Sequence, residues 1–282
     1  MNLSLTILGI TGIFYWLAFF FHLAAFLGGD DRMGRQGFVL VRLGFLAHTF
    51  FFFSGTPSQG ILMPVSDFGH VMAFFSWALA FVYLVLLARV QSESFGLILA
   101  PLLAVLAGAG LLGFHAGQTA PPLLGRQAGA PLNPYFIIHL GTAFFAYASF
   151  TLSFSAAVLY LVQHRALKRK RGGAIYQRLP SLEALEGLIY QPMAWGAFLL
   201  ILAIGIGFLW SKSAFGTFWL WEPKTVLTLV TALLYLVLIY AHYGKASRGK
   251  RLVVMSLMAF AFVFINFFGA NFLGKGMHQF IK

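Results

Sequence analysis

Residues 4–27 read SLTILGITGIFYWLAFFFHLAAFL, 24 positions with no Lys, Arg, Asp or Glu and one histidine, His22. At 1.5 Å rise per residue a helix of this length spans about 36 Å, enough to cross roughly 30 Å of hydrocarbon. It has neither a basic start nor a small-x-small cleavage site, and it ends in Gly28-Gly29-Asp30-Asp31. That is not the pattern of a cleavable signal peptide. The same reading repeats along the chain. Further apolar runs lie at about 38–56, 68–88, 95–115, 136–162, 188–210, 223–243 and 252–273. Lipid offers backbone N–H and C=O groups no partner, so each run must satisfy its own as a helix. The expected fold is an all-α polytopic membrane protein of about eight transmembrane helices, a single domain over 1–282.

Composition agrees. The 282 residues are 60% hydrophobic, 17% aromatic and only 9% charged, with a mean hydropathy of +0.85. Soluble domains carry roughly 25% charged residues. A soluble globular enzyme, a disordered chain and, with no Cys, a disulfide-stapled domain are all excluded. The net charge of +12 does not point to nucleic acid, because the cations fall in short gaps between apolar runs. Alternate loops hold thirteen Lys and Arg, and Arg42 snorkels to the same side, making 14 of the 19. The basic side is expected to be cytoplasmic, which places both termini outside.

Ionisable residues within a bilayer are expensive and mark functional candidates. His139, near the outer end of the fifth run, and His278, just past the outer end of the eighth, share one depth. His22 and His242, each some 18–19 residues inward along its run, share a second near the inner leaflet. Two imidazoles facing each other suit axial ligation of haem iron. Zinc instead wants three or four clustered ligands, and no His pair here has helical i, i+3 or i, i+4 spacing. Phe215, Phe218, Trp219 and Trp221 in the outer loop 211–224 supply flat walls for a porphyrin, and Lys212 and Lys224 the charge for its propionates. The competing readings are plain ones. Trp and Tyr collect at membrane interfaces anyway, a His near a helix end is commonly an interfacial polar residue, and His48, His70 and His115 are rivals to the chosen four. His164 lies in a basic inner loop and reads as solvated.

The run Trp219-Leu220-Trp221-Glu222-Pro223-Lys224 resembles the tryptophan-rich signature of haem-handling proteins in cytochrome c assembly. Tyr240-Ala241-His242, Asn271 to His278, Ile138-His139-Leu140 with Ala146-Tyr147-Ala148, Pro64 to Phe68, Phe75-Ser76-Trp77 and His22 to Leu27 are similar to further landmarks, in family order along nearly the whole chain. The branch they resemble is the CcsA-type cytochrome c biogenesis protein of the two-component system II pathway. The resemblance implies that His139 and His278 ligate haem at an external site, that His22 and His242 form a membrane-embedded pair, and that 215–224, within the signature loop 211–225, is the haem platform. It implies haem b as substrate, bis-His ligated, moved or presented outward for covalent attachment to apocytochrome c in a haem-lyase-like complex. It further implies a CcsB-type membrane partner with an external domain, separate external thiol-reducing proteins, and a bacterial inner or thylakoid-type membrane. The sequence departs from the signature at Phe215 (Trp), Glu222 (Asp), Thr225 (Glu) and His70 (Glu before the third helix). The altered signature keeps a haem-linked regulator or scaffold of tetrapyrrole metabolism as the alternative, and a transporter of another apolar anion as a third.

Overall fold

The computed structural model describes residues 3–54, 68–90, 92–115, 133–169, 178–218, 222–244 and 249–269. Trp219, Trp221 and His278 lie outside the described residues. Among the described residues eight α-helices follow in order: α1 (Leu3–Gly28), α2 (Asp31–Phe53), α3 (Phe68–Leu87), α4 (Glu93–His115), α5 (Pro134–Lys168), α6 (Leu182–Phe215), α7 (Pro223–Tyr243) and α8 (Lys250–Phe264). A π-helical turn, Ile265–Gly269, continues α8. All eight spans are long and apolar enough to cross a membrane, and no strand occurs among the described residues. The chain is a multi-pass, all-α membrane protein.

Helix ends explain where the apolar runs understate the helices. The α2 helix begins at Asp31 rather than 38, because the Asp30 carboxylate accepts the backbone N–H of Arg32 at 2.8 Å and caps the first turn. The α5 helix has 35 residues, about 52 Å, and overshoots the hydrocarbon into a last turn carrying Arg165 and Lys168. The α6 helix has 34 and runs on through Phe215, so the expected outer loop 211–224 begins only at Gly216, whose φ of 75° ends the helix.

The chain divides into two compact units, Met1–Gln118 with Val158–Leu185, and Thr119–Ala157 with Glu186–Lys282. In the first, α1 packs on α2 and α4, and α3 on α4. Lipid tails are as apolar as leucine, so helices associate by close packing of small residues. Gly110 and Gly113 of α4 meet Gly69 and Ala73 of α3 almost backbone to backbone; a Cβ on Gly113 would lie 2.9 Å from the Gly69 Cα. Ser76 fastens this seam by donating to the Leu103 carbonyl at 3.0 Å.

In the second unit Phe150 of α5 lies against Gly196 of α6 and stacks on Tyr235 of α7 at 3.8 Å. Within the π turn, Asn266 is fully buried and donates to the Tyr147 hydroxyl at 3.2 Å and to Thr228 Oγ1 at 3.0 Å, tying this end of α8 to α5 and α7. Large apolar side chains such as Phe50, Trp195 and Leu233 face outward, where hydrocarbon rather than water receives them.

Candidate functional site

His22 sits one and a half turns from the end of α1 and is completely buried in the first unit. Its ring lies between two glycines, Gly37 of α2 and Gly96 of α4. A Cβ on Gly37 would lie 2.7 Å from Cε1, and one on Gly96 would lie 2.5 Å from Cγ and 2.7 Å from Nε2. Phe38 closes a third side, with ring centroids 4.7 Å apart. Neither ring nitrogen has a hydrogen-bond partner among the described residues. Buried polar atoms in native proteins are almost always satisfied, so an orphaned imidazole needs an explanation.

His48, a rival at the sequence level, is equally buried. It differs in that one ring nitrogen has a polar neighbour: the Tyr15 hydroxyl lies 3.4 Å from Nδ1, and Phe52 stacks on the ring at 5.6 Å, while Nε2 has no partner among the described residues. That is the surrounding of a packed core histidine. His70 sits edge-on to Phe114 at 4.5 Å, and His164 stacks on Tyr160 at 6.1 Å.

In the second unit, His139 lies in the second turn of α5. Its Nδ1 is 2.7 Å from the Ala203 carbonyl oxygen of α6. A carbonyl only accepts, so Nδ1 carries the proton and Nε2 the lone pair. This tautomer is the one a metal-ligating histidine adopts when a second group orients it. Trp210 lies nearly parallel to the imidazole, 17° between planes with centroids 6.0 Å apart, and is itself held by Phe136 at 5.1 Å and Phe215 at 5.6 Å.

His242 lies at the end of α7 and stacks on Tyr190 of α6, 3.5 Å between centroids and 14° between planes. Counting from each helix's first residue, Leu3 to His22 and Pro223 to His242 are both 19 positions.

The described part of the signature loop folds back on the end of α6. Ser211 donates to the Thr217 carbonyl at 2.7 Å, Lys212 donates to that of Gly216 at 2.8 Å, and Asn133 reaches Ser213 at 2.9 Å. The Lys212 ammonium lies 5.2 Å from the Phe218 ring centroid, a cation–π distance, and the Phe218 ring is itself exposed. Lys224 opens α7 beside Glu222, its N-cap residue, whose side chain makes no capping bond. Phe215, expected as a platform residue, is the last helical residue and turns its ring to Trp210.

Each unit holds groups of the kind an iron porphyrin takes: in the first an orphaned imidazole in an apolar core, and in the second an imidazole held through Nδ1 and an exposed aromatic with a cation beside it. The sequence reading picked out His139 but not Ala203, Gly207 and Trp210, whose i, i+4, i+7 spacing lines one face of α6 against it. It also passed over Gly37 and Gly96.

Comparison with known proteins supplies the family. The model of the cytochrome C assembly protein family matches residues 65–278. The chain is 26% identical to the cytochrome c biogenesis protein CcsA of Guillardia theta, over 77% of this chain and 76% of that one. It is 27% identical to Protein HemX of Brevibacillus brevis, over 92% of this chain and 93% of that one. Among solved structures, the cytochrome c heme lyase CcmF matches with a TM-score of 0.61 at 17% identity, covering 95% of this chain. The chain spans about half (49%) of that protein's length, and the likeness is one of fold. The resemblance to CcsA-type proteins drawn from the sequence therefore holds. The chain belongs to the cytochrome c assembly protein family, and its role lies in cytochrome c biogenesis.

Proposed function

We propose that this protein binds haem as a substrate and presents it at the extracytoplasmic side for covalent attachment to apocytochrome c. The observation that carries the reading is His22, a fully buried imidazole with neither nitrogen hydrogen-bonded among the described residues. In this reading His22 and His242, at equal distance along their helices, hold iron near the cytoplasmic side. His139 offers Nε2 at the outer side, with His278 as its partner. Phe218, Trp219 and Trp221 flank the porphyrin, with Phe215 behind Trp210, and Lys212 and Lys224 face its propionates. The porphyrin vinyl groups and the thiols of the apocytochrome carry the covalent chemistry; the chain binds, orients and excludes water. With no Cys of its own, it depends on external thiol-reducing proteins, and on a CcsB-type partner to hold the apocytochrome. The bacterial inner membrane or a thylakoid-type membrane is the proposed setting.

Purification in detergent with an absorption spectrum tests this. Wild type carries a Soret band; the combined His22→Gly/His242→Gly and His139→Gly/His278→Gly changes each reduce it. A wild type without the band, or a band undiminished by both changes, overturns the proposal.

The departures of Phe215, Glu222 and Thr225 from the tryptophan-rich signature favour one second reading, a non-catalytic haem-linked regulator or scaffold of tetrapyrrole metabolism. Deleting the gene and staining for covalent c-type haem separates the two. Loss of staining supports the biogenesis role, and normal staining supports the scaffold.

A further inference from the structure

We infer that one face of α6 is an orienting device for His139: the Ala203 carbonyl fixes its tautomer, Gly207 admits its ring, and Trp210 sets its plane. The inference rests on the reading of His139 as a haem ligand and adds residues that the ligand set does not contain.

The Ala203 carbonyl lies inside α6 and is the normal acceptor for the N–H of Gly207, four residues on. A carbonyl oxygen has a second lone pair, and Nδ1 of His139 uses it from 2.7 Å. Such an approach to a helix backbone is sterically closed at most positions, because the residue one turn further covers the carbonyl with its Cβ. Here that residue is Gly207. A Cβ placed on it would lie 2.9 Å from Nδ1 and 3.0 Å from Cε1 of His139, and the three atoms nearest to it all belong to that ring. Gly205, two residues earlier, has nothing within 4 Å of its own would-be Cβ. Glycine in a helix interior is about 1 kcal/mol less favourable than alanine, so Gly207 is a position where the ring's approach outweighs helix propensity. Three residues on, Trp210 lies nearly parallel to the imidazole.

The consequence for ligation is specific. With the proton held on Nδ1, iron meets Nε2. The hydrogen bond to a carbonyl also makes the imidazole a stronger donor, which favours the ferric state and lowers the midpoint potential. Loosening the bond moves the potential upward.

The test is a double-mutant cycle on the full-length chain in detergent. Gly207→Ala is made in the wild-type and His139→Gly backgrounds, with Gly205→Ala as control. The apo chain is melted first. Gly207→Ala lowers the midpoint in the presence of His139 and leaves it unchanged or raised in its absence, where no ring remains to meet the new methyl. Gly205→Ala has no such background dependence. Haemin is then added: Gly207→Ala weakens or shifts the Soret band and raises the midpoint potential, and Gly205→Ala does neither. Equal melting effects of Gly207→Ala in both backgrounds overturn the orienting role. If Gly207→Ala alone does not fold, a folded double variant supports the role and an unfolded one overturns it. Unaltered haem binding in His139→Gly overturns the ligand reading itself, a separate outcome.

Discussion

Replacing Gly96 by alanine measures how tightly the inner histidine is held. The new methyl carbon would lie closest to His22 Cδ2 and 2.5 Å from Cγ, whereas ordinary contact begins at 3.4 Å, so the ring would have to retreat by more than about 0.9 Å. It has nowhere to go. Gly37 faces the ring at 2.7–2.9 Å from its own would-be Cβ, and Phe38 covers another side. Overpacking of this kind costs about 1–3 kcal/mol. Alanine returns about 1 kcal/mol of helix propensity. Gly108→Ala, in the same helix with open space around it, collects the second effect without the first. The two variants should differ by about 1–3 kcal/mol, which at roughly 3 °C per kcal/mol is a gap of about 3–9 °C in thermal midpoint. The assay is thermal unfolding of the detergent-purified chain followed by circular dichroism. If Gly96→Ala melts together with Gly108→Ala, His22 is loosely packed and the reasoning about a confined imidazole fails.

Three further outcomes follow from particular contacts. Asn266→Ala removes two interhelical hydrogen bonds; at about 0.6 kcal/mol each on average, and at most about 1.7, the loss should be about 1–3 kcal/mol, and an unchanged melting midpoint would contradict the role given to this residue. Trp210→Ala deletes a ring only 5% exposed that packs on Phe136, His139 and Phe215; it should cost about 3–5 kcal/mol in stability and weaken haem binding, both readable on one purified sample. Reporter enzymes active only outside the cytoplasm, fused within 169–181, should be silent, and fused at 55–67 should be active; the opposite pattern reverses the orientation drawn from the basic loops.

The spans were legible because hydrocarbon thickness and backbone satisfaction leave a run like 4–27 one structural outcome. Helix ends were less so. Residues 31–37 are polar and glycine-containing, and only the Asp30 cap shows that the helix starts there. The 211–215 segment reads as loop by composition, yet it continues α6 beyond the apolar stretch to Gly216. At the site, His22 and His139 stood out as ionisable groups in apolar runs. What surrounds them did not, since Gly207 and Ala203 lie more than sixty residues from His139, and no local pattern tells a helix glycine that receives a ring from one, like Gly205, that faces open space. The separation of His22 from His48 was equally tertiary: it turns on Tyr15 reaching one and not the other.

The five-residue turn at Ile265–Gly269 gives the end of α8 a phase of its own. A π turn is an α-helix with one residue inserted, and each residue of an α-helix advances the direction of its side chain by about 100°. Excising a single residue there would let the segment relax to ordinary α-helix and turn its own later side chains by that angle relative to the rest of α8, without changing any of them. Phe267, which meets Phe144 and Tyr147 edge-on at 5.9 and 5.7 Å, would then be aimed away from both rings, a larger change than exchanging its side chain for another of similar size.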